Sequence, residues 1–280
     1  MARCCVCWIC IALWYNGCAR FKEEGEGSVM IFAVAAGAVL VLVLCFFLLT
    51  YMRSLAFSHH ITNETITLPV QMEDNHILFI SDIHRRQLKP GFFRTFSKTP
   101  DMVWIGGDLA ERGVNEKTLK HNLKVLSSIA PVYFVFGNND YEWPEASFTR
   151  ILHQFNVTIL KNSAVTFKDT WTLSGIDDMN RGIPEFETAL KGSRGPVILL
   201  SHNPEAAWAV SGFDKVVCVV SGHTHGGQIR LGPFGIAEKA GWTLKGGKPV
   251  FISSGYGTTQ IPLRLGTKAE CHVLRIKGCS

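Results

Sequence analysis

From position 76 onwards the chain is punctuated by short apolar runs at 76–80, 102–105, 132–136, 197–200 and 216–220, each rich in Val, Ile, Leu or Phe. Runs of this length and composition predict buried strands. Between them, residues 115–129 show helical spacing through Leu119, Leu123 and Leu126, and 144–155 opens on a proline suited to a helix's first turn. The order is therefore β, α, β, α, β. Further short strands are predicted at 157–160, 164–167 and 171–174, and again at 228–231, 250–253 and 271–276. Two stacked mixed sheets flanked by helices accommodate this series, an α/β (α+β) sandwich of four layers, αββα. Residues 232–248, with five glycines, Phe234 and Trp242, read as a long surface loop of the kind that contacts substrate, its aromatics suited to a lipid or a glycan.

A different pattern precedes the domain. Residues 29–51 form an uninterrupted apolar run, with no charge between Glu26 and Arg53. A run of ~20 such residues spans a bilayer, and this one is too long for a signal-peptide core. The expected organisation is a Cys-rich segment at 1–28, a transmembrane anchor at 29–51, a linker and edge strand at 52–74, and a catalytic domain at 75–280. In the first segment Cys4, Cys5, Cys7, Cys10 and Cys18 lack the second ligand pair or βαβ context of a zinc or redox site. Acylated thiols beside an anchor, or an upstream start with Met30 opening the native chain, are the two readings that stand. Arg3, Arg20 and Lys22 before the span put the domain outside the cytoplasm of a single-pass cell-membrane protein; a start at Met30 reverses that bias.

Charge narrows the partners. The formal net charge is +5, with no clustered Lys/Arg stripe, so nucleic acid is not an expected partner. The domain's Cys218, Cys271 and Cys279 suggest no disulfide framework.

The chemistry lies where the strands end. Asp82 and His84, Gly107 and Asp108, Gly137 through Asp140, Ser201 and His202, and Gly222 through His225 each follow an apolar run. Strand ends aim side chains into one crevice. Carboxylate, amide oxygen and imidazole without thiolate suit Mn, Fe, Zn or a similar first-row ion. Glycines before Asp108, Asn138 and His223 permit sharp turns there.

This set resembles the calcineurin-like metallophosphoesterase family, whose pattern is D-x-H, G-D-x-x-x-x-G, G-N-H-D/E, a later His, and G-H-x-H. Residues 107–113 read G-D-L-A-E-R-G, with the spacing intact. Gly226, Gly227 and Gln228 after the last His pair, and Pro262 through Gly266, are similar to a membrane-associated or exported bacterial branch. The resemblance covers roughly 75–277. It implies that Asp82, His84 and His225 hold one divalent metal, that Asn138, His202 and His223 hold another, and that Asp108 bridges them. Mn2+ is the first expectation for both ions, with Fe, Zn, Co or Ni as substitutes. Such a centre hydrolyses phosphoesters through a metal-bridging hydroxide.

One position departs from the family pattern. Asn139 stands where the family usually has the His that assists the leaving group, with Asp140 placed to orient it. An amide hydrogen-bonds but is no general acid at neutral pH. Family members of a lipid A pathway that cleave a sugar-nucleotide pyrophosphate carry Arg here and remain enzymes. The expectation is therefore a membrane-anchored hydrolase of phosphodiester or pyrophosphate bonds, with Asn139 and Asp140 at the catalytic position. Its substrate would be an envelope lipid or polymer precursor, lipid-linked and met at the bilayer. Arg85, Arg112 and His121 are candidate proton helpers, each also readable as an ordinary surface residue. The alternative is a binding or scaffold protein with a degenerate site.

Overall fold

The computed structural model describes residues 26–94 and 98–279; the cysteines expected to be acylated or non-native lie outside the described residues. Helix α1 (Glu26–Ala56) carries the long apolar run, and within its 27 residues from Met30 to Ala56 an 18-residue stretch has a mean hydropathy of 3.0. Between Met30 and Tyr51 its apolar side chains are exposed nearly all round, Leu42 and Leu49 among them. A helix apolar on every face needs a non-aqueous surrounding, and this one is long enough to cross a bilayer.

The helix up to Met52 and the domain from Arg53 are separate compact units. The domain begins with the helix's last turn. There Arg86 donates to the carbonyls of Ala56, Phe57 and Ser58, at 3.4, 3.0 and 2.7 Å, and to that of Tyr256 at 2.6 Å. The last carbonyls of a helix have no partner within it, and an arginine fork meets them here. Its guanidinium also stacks 3.9 Å from the centre of the Tyr256 ring.

Two six-stranded sheets make the sandwich. The first contains β1 (His60–Leu68), β14 (Glu270–Gly278), β2 (Asn75–Ile80), β3 (Met102–Ile105), β4 (Val132–Phe134) and β5 (Thr158–Ile159), side by side in that order. The second runs β12 (Gly241–Lys245), β13 (Lys248–Ile252), β9 (Val216–Ser221), β8 (Val197–Leu200), β7 (Trp171–Gly175) and β6 (Ser163–Phe167). In both, the central strands are parallel: β2 through β5 in one, and β13, β9, β8 and β7 in the other. Buried parallel strands are apolar on both faces, which is why β3 and β8 are buried at every residue.

The packing follows these layers. Phe79, Trp104, Leu173, Ile198 and Val220 meet between the sheets. Outside the first sheet lie α2 (Glu116–Ser127) and α3 (Glu145–Gln154), and outside the second the short helices α4 (Phe186–Leu190) and α5 (Ala206–Ala209). Helix α2 starts where the Asn115 side chain accepts the Thr118 N–H at 2.8 Å, and it buries Leu119, Leu123 and Leu126 at helical spacing. The expected loop at 232–248 instead contains strands, because Trp242 and Leu244 pair with Phe251 and Pro249 across β12 and β13. A second small ribbon, β10 (Arg230–Leu231) with β11 (Phe234–Gly235), precedes it.

Trp104 is fully buried between the sheets, its ring centre 6.2 Å from that of Trp171. Trp104→Ala is expected to lower the domain's unfolding free energy by about 3–5 kcal/mol in urea denaturation. A loss below 1 kcal/mol would contradict this account of the core.

Candidate metal centre

The parallel strands of both sheets end at one place. Asp82 and His84 follow β2, Asp108 follows β3, Asn138 follows β4, His202 follows β8, and His223 and His225 follow β9. Backbone bonds tie the loops together: Asp82 N–H donates to Gly107 O and His84 N–H to Asp108 O, both at 3.0 Å.

The turns are unusual. Asp82, His84, Asp108, His223 and His225 all have φ between 51° and 70°, the left-handed region that side chains seldom adopt. Such residues persist only where the surroundings over-determine them, and they cluster at functional sites. Of the three glycines expected to permit turns, Gly107 does so, with φ 84°. Gly137 and Gly222 are needed for room instead. A Cβ there would lie 2.3 Å from an Asp108 oxygen and an Asp82 oxygen, respectively.

Side chains then converge. His84 Nε2 lies 3.1 Å from His225 Nε2 and 3.7 Å from Asp108 Oδ2. His225 Nε2 lies 3.5 Å from Asp82 Oδ1. On the other side His202 Nε2 is 3.1 Å from His223 Nδ1 and 3.3 Å from Asp108 Oδ2. The Asn138 carbonyl oxygen is buried without a partner. Two sets, Asp82 with His84 and His225, and Asp82 with Asp108 and His202, each offer ligand atoms within 4.8 Å of one another.

This arrangement fits divalent ions. The Nδ1 of His202 is 2.9 Å from Gly106 O, which only accepts, so that nitrogen carries the proton and Nε2 presents a lone pair. The Nδ1 of His84 lies 2.9 Å from Glu111 Oε2, an ion-pair contact off the in-line direction that likewise leaves Nε2 facing inward. Lone pairs and carboxylates facing one another repel unless a cation lies between them. The pKa shifts carry the same message. Burial lowers His202, but Asp108 outweighs it and pushes the imidazole up to about 10. Its neighbour His223 is lowered by burial and by His202. In the second pair burial lowers His84, but Glu111 and Asp108 outweigh it and raise the imidazole, whereas burial takes His225 down to about 3. Each facing pair has room for one positive charge, where a metal ion can replace a proton.

Asn139 and Asp140 take unexpected partners. Asn139 gives both its backbone N–H, at 2.8 Å, and its side-chain N–H, at 2.6 Å, to the Asp108 carboxylate. Among the described residues the Asp140 carboxylate takes backbone partners rather than the Asn139 amide. Its buried carboxyl accepts the N–H groups of Asp108, Ala110 and Gly137 at 2.8, 3.0 and 2.9 Å, stapling the β3 and β4 loops together. Burial, reinforced by Asp108, pushes it up to about 8. His121 donates from Nε2 to Leu88 O, 2.9 Å away, and Arg85 is held by Glu111 and by Arg112 O, while Arg112 is exposed.

Glu111 was not singled out by sequence reasoning, although it lies inside the G-D-L-A-E-R-G run. Its carboxylate stands between His84 and Arg85, and outer partners of this kind fix ring orientation. Glu111→Gln is expected to weaken Mn2+ binding by roughly 10–100-fold in isothermal titration of the metal-free chain. An unchanged dissociation constant would show that Glu111 does not act on the metal through His84.

Comparison with known proteins agrees with this geometry. The family profile of calcineurin-like phosphoesterases matches residues 76–227, more than half of the chain. The chain is 39% identical over 209 residues to YpbG of Bacillus subtilis, covering 72% of this chain and 81% of that protein. It is 31% identical over 221 residues to a metallophosphoesterase of Helicobacter pylori, covering 71% of this chain and 59% of the other. A transmembrane protein with metallophosphoesterase domain from Danio rerio is 30% identical over 239 residues, covering 72% of this chain and 53% of its own length. The family generally works with a binuclear metal centre, and Asp82, His84, Asp108, His202 and His225 form candidate ligand groups in this chain. The chain belongs to the calcineurin-like phosphoesterases, metal-dependent hydrolases of phosphoesters.

Proposed function

We propose that the chain is a membrane-anchored phosphodiesterase or pyrophosphohydrolase whose substrates carry good leaving groups. The observation that carries this reading is the state of Asn139. Its amide N–H is engaged by Asp108 at 2.6 Å, so this position holds the carboxylate in place and offers no proton to a departing oxygen. General-acid help is typically worth 10²–10⁴-fold, and its loss falls hardest on alkoxide leaving groups. Aryl esters, phosphodiesters activated by their substituents and phosphoanhydrides are affected least.

In this reading Asp82, His84 and His225 would hold one ion, Asn138, His202 and His223 would hold the other, and Asp108 would serve both. The partnerless Asn138 oxygen and the facing imidazole pairs support that division. Two such ions, Mn2+ by first preference, supply a deprotonated nucleophile near neutral pH and offset charge on the phosphoryl oxygens. The chain's own residues do the rest. Asp140 holds the β3 and β4 loops in register, Asn139 fixes Asp108, and Glu111 fixes His84. With α1 in a membrane, and with the domain outside the cytoplasm, lipid-linked envelope precursors are the substrate class that meets both constraints.

The test is a leaving-group series on the Mn2+-loaded chain. Bis-p-nitrophenyl phosphate is expected to turn over while alkyl phosphomonoesters are nearly inert. Asn139→His should raise the alkyl rate by ~10²-fold or more, by restoring an acid. Equal leaving-group dependence in both proteins would overturn the assignment. Turnover no higher than that of Asp108→Ala would favour a binding or scaffold protein.

A further inference from the structure

The β10–β11 hairpin has its polarity inverted. Arg230 is 7% exposed, whereas Leu231, Phe234 and Ile236 are 71%, 78% and 92% exposed. A hairpin folded for water does the reverse. The inversion is built rather than loose. The Arg230 guanidinium donates to Ala237 O and Pro233 O, both at 2.6 Å, and to Gly226 O at 3.2 Å, beside the ligand-bearing His225. Gly227 and Gly235 make room for it, since a Cβ at either would lie 2.8 or 2.5 Å from Nη1. The cation is thus held inside by carbonyls while the apolar tip is held out.

A relay of hydrogen bonds links the strand that leads into the hairpin to residues 56–58, where the apolar helix ends. Arg86 bonds Ala56, Phe57 and Ser58 to Tyr256. The segment that follows Tyr256 carries Thr259 and Ile261, whose carbonyls accept from the Gln228 amide at 3.2 and 3.1 Å, and Ile261 is half exposed. Gln228 leads directly into the hairpin. No acidic residue lies between Gln228 and Ala237, Glu238 is paired with Lys245 at 2.9 Å, and Lys239 and Lys268 are exposed nearby. An apolar tip with basic neighbours, and with no intervening linker after a membrane span, matches an interfacial lipid surface.

We propose that the β10–β11 hairpin and Ile261 insert into the surface of the bilayer that holds α1, so that the metal centre works at headgroup depth on phosphates carried by that bilayer. This rests on the reading of α1 as a membrane anchor. The hairpin does not create the anchor; it sets the height and tilt of the site above the lipid.

The experiment uses the full chain in nanodiscs of mixed neutral and anionic phospholipid, with the photo-crosslinker p-benzoylphenylalanine placed at one position per variant. Phe234 and Ile236 are the test positions, both exposed enough to accept the ring without refolding. Phe46, within α1, is the positive control. Lys168, at the turn before β7 and so at the opposite end of the sheet from the metal centre, is the negative control. Phospholipid adducts at 234 and 236 at least tenfold above those at 168 are the expected result. Adducts at 46 with none above the 168 level at 234 and 236 would overturn the insertion while leaving the anchor intact. Failure at 46 as well would overturn the anchor and the insertion together. Crosslinking of 234 or 236 to a second copy of the chain would assign the patch to dimerisation and also overturn the proposal.

Discussion

Everything in the domain is arranged around one electrostatic demand: bare imidazole nitrogens and carboxylates are gathered, out of water, in a space that only cations satisfy. Asp82 and Asp108 are fully buried or nearly so, and two imidazole pairs face one another at 3.1 Å. Burial of unpaired charge is costly, so the surroundings must force it. Parallel strands of both sheets end together, Asp82, His84, Asp108, His223 and His225 take left-handed turns, and Gly137 and Gly222 vacate the space their neighbours need. Asp140 then locks the β3 and β4 loops through three backbone N–H groups. The fold tolerates this strain because the layers on either side, packed through Trp104, Leu173, Phe148 and Val219, leave the loops little freedom.

Much of this was legible in the chain itself. Apolar runs marked the central strands because parallel strands are buried on both faces, and β3 and β8 fall where those runs predicted them. Helix α2 was visible through Leu119, Leu123 and Leu126, since a half-buried helix repeats every 3.6 residues. The motifs were visible because each ends such a run. Other features had no periodic signature. Helices α4 and α5 span one turn each, too short for a pattern. Strand β12 lay hidden in a glycine-rich stretch, since it sits at a sheet edge and alternates without a strong apolar run. Glu111 looked like any surface acid until His84 was brought beside it across the β2 and β3 loops. The backbone role of Asp140 was equally invisible, because it depends on where Ala110 and Gly137 point.

Three arginines form a second layer of constraint. Arg86, Arg230 and Arg264 each direct a buried or half-buried guanidinium at backbone carbonyls rather than at carboxylates. Arg264 donates to Ser254, Gly255 and Gly257 at 2.6, 3.1 and 2.7 Å, and burial brings it down to about 10, so it stays charged at neutral pH. These residues tie the end of the apolar helix, the loop after β13 and the ribbon beyond His225 to the D-x-H and G-H-x-H turns. Residues 56–58, the β10–β11 ribbon and the turns that carry Asp82, His84, His223 and His225 are therefore tied together. In sequence the three arginines look like scattered surface charges, and only their burial shows what they hold.

The central claim is that the converging donors are a two-ion site. The most direct measurement is anomalous diffraction from crystals of the full chain loaded with Mn2+. Two peaks are expected about 3.5–4 Å apart, one between His84 and His225 and the other between His202 and His223, with Asp108 touching both. A single peak, or none, would contradict it.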